Sequence, residues 1–229
     1  QSPVRVELHL TTEQQAATRA MDENCIRDVS LYLYGDTEYH FYFPSVSSPL
    51  VFNVLPGNYR SYAIANAGQD LGDKNAFKIQ FYETAVDVME SSDAIPMTDR
   101  GTLAVDGAGR CTPSSLRVTR SAAKIAYTIE VADAVAPSLR LRSVQFCNLP
   151  LTIRPFDSGS ISSTVEANYY DGEAMPVGNE RRTAGTAYLF ENLQGSVDTI
   201  TDQKDKCPEN APACATYLRI LAERSADKA

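Results

Sequence analysis

The chain has 229 residues, enough for one large β domain or two small ones, and its 43% apolar and 22% charged residues make a globular composition, unlike that of a disordered chain. Its 29 acidic residues outnumber 21 basic ones for a net charge of −8, and no basic stripe exists to neutralise phosphates, which argues against nucleic acid as a partner. No apolar run approaches the ~20 residues that cross a bilayer as a helix, and no signal-peptide pattern opens the sequence.

The dominant period is two. In VRVELHL, Val4, Val6, Leu8 and Leu10 alternate with Arg5, Glu7 and His9, the pattern of a strand with one buried face. The polar stretch EQQAATRAMDE follows and sets Arg19–Ala20 among small residues suited to a protease cleft. Arg27 is a poorer site, because it begins the next strand, VSLYLYG. That strand places Val29, Leu31 and Leu33 inside, with Ser30, Tyr32 and Tyr34 on the other face. YHFYFP is a further strand, stopped by its proline. LVFNVLPGNYRSYAIAN predicts a hairpin about Pro56, Gly57 and Asn58, where proline presets φ and glycine tolerates φ > 0.

One segment breaks the pattern. DKNAFKIQFYETAVDVMESSD spaces Phe77, Phe81, Ala85 and Met89 four apart, with Tyr82 and Val86 on the adjoining ridge, and predicts one short amphipathic helix over residues 73–93. A turn-rich SSDAIPMTDRG and a short strand in TLAVDG lead to DGAGRCTPSS, residues 106–115. This stretch of glycine, proline and serine is the expected domain boundary, dividing residues 1–112 from 113–229. Beyond it AKIAYTIEV alternates again. In SLRLRSVQFCNLP the apolar positions change parity between Leu139, Leu141 and Val144, Phe146, which predicts a β-bulge. STVEANYY, GTAYLFEN and ATYLRILAE complete an all-β reading of two β-sandwich domains.

Catalytic signatures are missing from the sequence: G-x-S-x-G, G-x-x-x-x-G-K-[ST], G-x-G-x-x-G and H-E-x-x-H do not occur. His9 reads as a solvated residue of an outer strand face, and His40, between aromatics, as half-buried packing. Asp171 with Glu173, and Asp198, Asp202 and Asp205, read as solvated loop acids. Among the five cysteines only CPENAPAC brings two close, so Cys207 and Cys214 form either a small disulfide-closed loop or two free thiols. Cys25 and Cys147 lie in strand-like runs and read as small buried hydrophobes. Tyr169–Tyr170, beside the loop DGEAMPVGNERRTAG, is the one candidate sugar platform. Consecutive strand residues point to opposite faces, and the chain has no tryptophan, so an ordinary strand end is the stronger reading.

Several stretches taken together resemble the fimbrillin superfamily, the subunits and accessory proteins of type V pili of Bacteroidetes. They are CIRDVSLYLYG, VLPGNYRSYAIANAG, DAIPM, RVTRSAAKIAYTIEV, VQFCNLP and AYLFENLQG, with a K…AP…ATYLRI arrangement across 206–220. The resemblance implies two transthyretin-like β-sandwich domains, export as a lipoprotein, and display on the outer membrane. It also implies cleavage by an arginine-specific protease that removes the N-terminal strand, after which the groove accepts a donor strand from another subunit. Arg19–Ala20 is the matching bond here, and Val4, Val6, Leu8 and Leu10 mark the exchangeable strand, expected to close the first sandwich from its rim.

The expected function is therefore that of a structural fimbrial subunit or accessory or tip adhesin. It would be no enzyme, need no cofactor or metal, and have other fimbrial subunits and host or bacterial surface ligands as partners. The alternative is a carbohydrate-binding cell-surface lipoprotein. Relative to the family the chain starts at Gln1 without a lipid-bearing cysteine and stops at AERSADKA, soon after the ATYLRI strand. The resemblance thus leads one to expect a shortened second domain or a piece of a longer protein, with any lipid anchor outside this chain.

Overall fold

Wherever apolar residues alternate in the first half, the chain extends. The structure, a computed structural model, describes residues 2–12, 25–72, 95–151, 156, 162–205, 207 and 209–224. The helix expected over 73–93 and the Arg19–Ala20 bond lie outside the described residues. Eight strands form the first half: β1 (Val4–Thr12), β2 (Val29–Tyr34), β3 (Glu38–Phe43), β4 (Leu50–Val54), β5 (Gly57–Ala65), β6 (Met97–Val105), β7 (Cys111–Thr112) and β8 (Ser115–Arg120). They pair in the order β3-β2-β5-β6-β8-β1-β4, with β7 beside β6.

β6 and β8 share only the pairs Met97–Arg120 and Thr98–Thr119. On either side of this short junction lie two arms, and both bury side chains in one core: Val29, Leu31, Leu33, Ala63 and Leu103 from one, Val6, Leu8, Phe52, Val54 and Val118 from the other. The hairpin expected at Pro56–Gly57 is therefore not one. β4 pairs with β1, and β5 with β2 and β6, so the turn carries the chain across the core from one arm to the other. Phe52 and Tyr59, on either side of the turn, meet in the core rather than across a ladder. The Tyr39 hydroxyl accepts from Leu55 N–H (3.1 Å), and the Tyr59 hydroxyl donates to the Leu55 carbonyl (2.6 Å), which pins the crossing.

The outer face of β2 is covered as well. Tyr32 and Tyr34 are buried with Ile64 and Phe156 in a second cluster. Phe156, assigned to this unit despite lying far along the chain, meets Tyr62 edge-on at 5.2 Å, and its carbonyl accepts a 2.6 Å hydrogen bond from Arg100 Nη1.

The second half contributes β9 (Ala122–Glu130), β10 (Leu139–Cys147), β11 (Leu149–Pro150), β12 (Tyr169–Tyr170), β13 (Met175–Pro176), β14 (Arg182–Phe190) and β15 (Tyr217–Arg224). They form the sheet β13-β10-β15 and the pairs β11-β12 and β14-β9. Pairing of β10 with β15 shifts between Leu141 and Ser143, leaving Arg142 as the extra residue of a bulge, where the parity change in the sequence predicts it. Val131, Leu141, Val144 and Val177 are the buried core here, with Tyr127, Ile129, Leu139 and Leu218 packed against them.

The chain divides into two compact units, Gln1–Ala122 with Ile153–Ser158, and Ala123–Thr152 with Gly159–Ala229. The boundary expected between residues 112 and 113 is thus displaced. The Gly/Pro-rich stretch around it is an internal turn, and β8 beyond it pairs with β1 and β6 of the same unit.

Candidate functional site

The first strand sits where its alternation requires. Val4, Val6 and Leu8 stand opposite Val54, Phe52 and Leu50 of β4 in antiparallel register. Leu10 and Thr12 stand opposite Leu116 and Val118 of β8 in parallel register. Val6 and Leu8 are fully buried, while Val4 and Leu10 are partly so. The polar positions Arg5, Glu7 and His9 face outward, with Arg5 Nη2 3.1 Å from Glu7 Oε1.

β1 is not the rim strand expected from the sequence. Residues 4–8 pair with β4 and residues 9–12 with β8, so the strand bridges two neighbours, one per half. Among the described residues β4 has no other strand partner. β1 is therefore the only ladder that ties β4 to the sheet. The two fully buried side chains together contribute about 3–6 kcal/mol on burial. Against a net domain stability of roughly 5–15 kcal/mol, a unit lacking this strand must have a replacement of the same period.

The side of residues 4–8 away from β4 is closed by a turn. Asp106 accepts from the backbone N–H of Ala108 and Arg110, both at 2.9 Å, and its carbonyl from Gly109 N–H at 3.0 Å. These bonds, with the Arg110 guanidinium 2.7 Å away, hold the Asp106 carboxyl below the usual range. The turn brings Gly109, at φ +79°, so close to β1 that a Cβ there would lie 2.1 Å from the Arg5 carbonyl oxygen. Glycine is required here both by its conformation and by the contact.

Both ends of the segment that leaves and re-enters this region are fixed. At Thr11 the hydroxyl donates to the Leu116 carbonyl (3.2 Å). At the far end Asn66, buried with φ +62°, donates its amide to the carbonyls of Cys25 and Ile95, both at 2.9 Å, and accepts from Arg27 N–H at 2.8 Å. The Asp28 carboxylate beside it accepts from Ala67 and Gly68 N–H, both 3.1 Å. Burial nevertheless raises its pKa above 3.8. The second unit repeats the device: Asn148, at φ +55°, donates to the carbonyls of Ala213 (2.9 Å) and Ala215 (3.1 Å). Neither asparagine stands out by composition. The available signal is an Asn placed directly after an alternating run, in IAN and FCN, because Asn tolerates the left-handed region better than other side chains.

The other sequence candidates have structural duties. Cys207 and Cys214 are free thiols, so the candidate disulfide is not formed. Asn210 and Ala211 N–H donate to the Cys207 carbonyl and close the loop through its backbone instead. Cys147 is buried, which raises its thiol pKa, and Cys25 is half-buried. The Tyr169 hydroxyl donates to the Ser163 carbonyl (2.5 Å), lies 3.1 Å from Asn192 Oδ1, and accepts from Gln194 Nε2 (2.9 Å). It belongs to an internal network more than to a sugar platform. Asp171 pairs with Arg219 at 2.7 Å, and Asp205 accepts from Thr201 and Asp202 N–H. His9 is exposed, whereas the ring of His40 stacks on Tyr32 at 4.4 Å with Nε2 3.3 Å from Asp70.

A family model described as a domain of unknown function (DUF4906) matches residues 187–229. No curated protein matches the chain. Among solved structures, a candidate cell adhesion protein from Bacteroides eggerthii overlays with TM-score 0.61 at 14% identity, covering 100% of this chain and 77% of its own. A candidate cell adhesion protein from Parabacteroides distasonis gives 0.58 at 11% identity, over 83% of this chain and 71% of its own. A fimbrial assembly protein from the same organism gives 0.46 at 12% identity, over 82% and 77%. At TM-scores near 0.6 and identities this low, the first two share with the chain its fold.

Proposed function

We propose that this is a structural, non-catalytic protein of the bacterial surface: a fimbrial subunit or an accessory or tip adhesin, built from two transthyretin-like sandwiches. In this reading the protein reaches the outer membrane as a lipoprotein. It is cleaved at Arg19–Ala20, and its first strand then gives way to a strand of another subunit. The observation that carries the reading is the position of β1, which fills the core with Val6 and Leu8 and, among the described residues, alone ties β4 to the sheet. A strand so placed, connected onward through residues 13–24, suits exchange by β-augmentation. While connected it has a high effective concentration in its own groove, which blocks premature assembly. The fold shared with candidate adhesion proteins, and the family-like stretches along the chain, support the same reading.

Limited digestion of the folded protein with trypsin, followed by native mass spectrometry, tests it. The earliest cut is expected after Arg19, with the N-terminal fragment still bound and then displaced by an excess of labelled peptide of the sequence VRVELHLTT. Resistance of that bond, or failure of the peptide to exchange after the cut, removes the assembly role.

A further inference from the structure

β15 is the least covered long strand of the second unit among the described residues. It pairs with β10 along its whole length, yet it ends the order β13-β10-β15, and among the described residues nothing pairs with its other edge. Seven of its eight residues are exposed, including Tyr217 (42%), Ile220 (46%) and Leu221 (57%). Ile220 lies on the core face, opposite the buried Val144, and is still almost half bare because nothing flanks it at the edge. Native edge strands are ordinarily blunted by proline, a bulge, shortness or charged side chains, and of these β15 has only charges, Arg219, Glu223 and Arg224, of mixed sign. β15 is eight residues long and regular, and the bulge belongs to β10.

We propose that a second copy of this chain pairs with this edge, β15 against β15 in antiparallel fashion about a two-fold axis at Leu221. The charge pattern selects both the occupant and the register. A two-fold axis normal to the sheet must pass through one residue, because cross-strand neighbours share a face. An axis at Leu221 puts Leu221 against its own copy, Arg219 against Glu223 of the second copy, and Ile220 against Ala222. The pattern is self-complementary, and each opposite-charge pair occurs twice. An axis at Arg219 or at Glu223 sets like charges face to face, and one at Ile220 or Ala222 leaves Arg219 and Glu223 opposite uncharged residues. Arg219 and Glu223 already have exposed partners on the β10 side, Asp171 at 2.7 Å and Arg142, and the cross-axis contacts share or replace these pairs. These exposed ion pairs orient the two side chains without burying them.

The pairing is independent of the first-strand proposal, since β1 and β15 lie in different units. Sedimentation equilibrium of the full chain across a concentration series tests it. The wild type is expected to dimerise reversibly. Arg219→Glu and Glu223→Arg should each raise the dissociation constant about tenfold or more, because each places two like-charged pairs across the axis. The double exchange R219E/E223R, made in a D171N/R142Q background so that neither new side chain meets a like charge in its own unit, should return it to within about threefold of the D171N/R142Q parent, since it restores both cross-axis pairs. Leu221→Lys, with near-ultraviolet circular dichroism to confirm the fold, should also leave a monomer. A wild type that stays monomeric at the highest attainable concentration overturns the proposal. So does a dimer insensitive to Leu221→Lys, or one that the double exchange does not restore.

Discussion

β1 and β15 read alike in sequence and end in opposite situations. Both mix apolar with charged residues, β1 in strict alternation and β15 with Ile220, Leu221 and Ala222 in a row, and both lie toward an end of the given sequence. Yet Val6 and Leu8 of β1 are fully buried, whereas Ile220 and Leu221 of β15 are 46% and 57% exposed. The difference extends to their units. The first closes an apolar cluster of sixteen buried side chains from both arms, while the buried cluster of the second, among the described residues, holds four, Val131, Leu141, Val144 and Val177. Beside its cluster the second unit uses side-chain amides: Asn192 Nδ2 donates to the Cys214 carbonyl (2.8 Å) and Thr216 Oγ1 (2.9 Å), beside the Asn148 and Tyr169 bonds. Alternation thus tells which face of a strand is apolar, and leaves open whether anything covers it.

The sharpest way to break the comparison is a matched pair of truncations. Leu8→Ala should destabilise the first unit by about 2–5 kcal/mol, and Leu221→Ala should cost about 0.5 kcal/mol or less in the monomer, both read by denaturant unfolding. Equal losses would mean that β15 is covered after all. Next in size, Asn192→Ala should cost the second unit roughly 1–3 kcal/mol, because two part-buried acceptors lose their donor. A loss as small as that of Leu221→Ala would deny the amides their structural part. Gly109→Ala should lower first-unit stability by about 1–3 kcal/mol through positive φ and the contact with Arg5, and should quicken hydrogen exchange in β1 ahead of the other strands.

The smallest effect concerns Asp28. Its folded pKa is raised by burial, so the folded state binds this proton more tightly than the unfolded chain does. The stability it contributes is present below 3.8 and is lost as pH rises through the raised value. Against Asp28→Asn, the wild type should therefore gain relative stability on acidification through that window, and a relative loss would contradict the assignment.

Much of the strand pattern was legible because period two and burial go together, and the bulge at Arg142 was legible because a parity change has few other causes. Three features were not. The turn at Pro56–Gly57 has the chemistry of a hairpin, but two strands can satisfy the same pattern by facing each other across a core. The stretch 106–115 looks like a linker because internal turns and linkers draw on the same residues. Phe156 reaches the first unit only through tertiary structure, and no local pattern announces that. Of the candidate site, the four inward residues of β1 were readable, while Gly109, Asn66 and the dependence of β4 on β1 came from pairings between distant segments.

The parallel half of β1 sets a condition on how the protein is made. Thr11 and Leu116, joined by a hydrogen bond, are 105 residues apart in sequence. Closing so long a loop is slow, so the half of β1 that pairs with β8 is among the last parts of this unit to find its place. Residues 4–8 can meet β4 once residue 54 is made, but Leu10 and Thr12 keep a bare ladder edge until β8 arrives, and an alternating segment with such an edge is open to pairing with another chain in the interval.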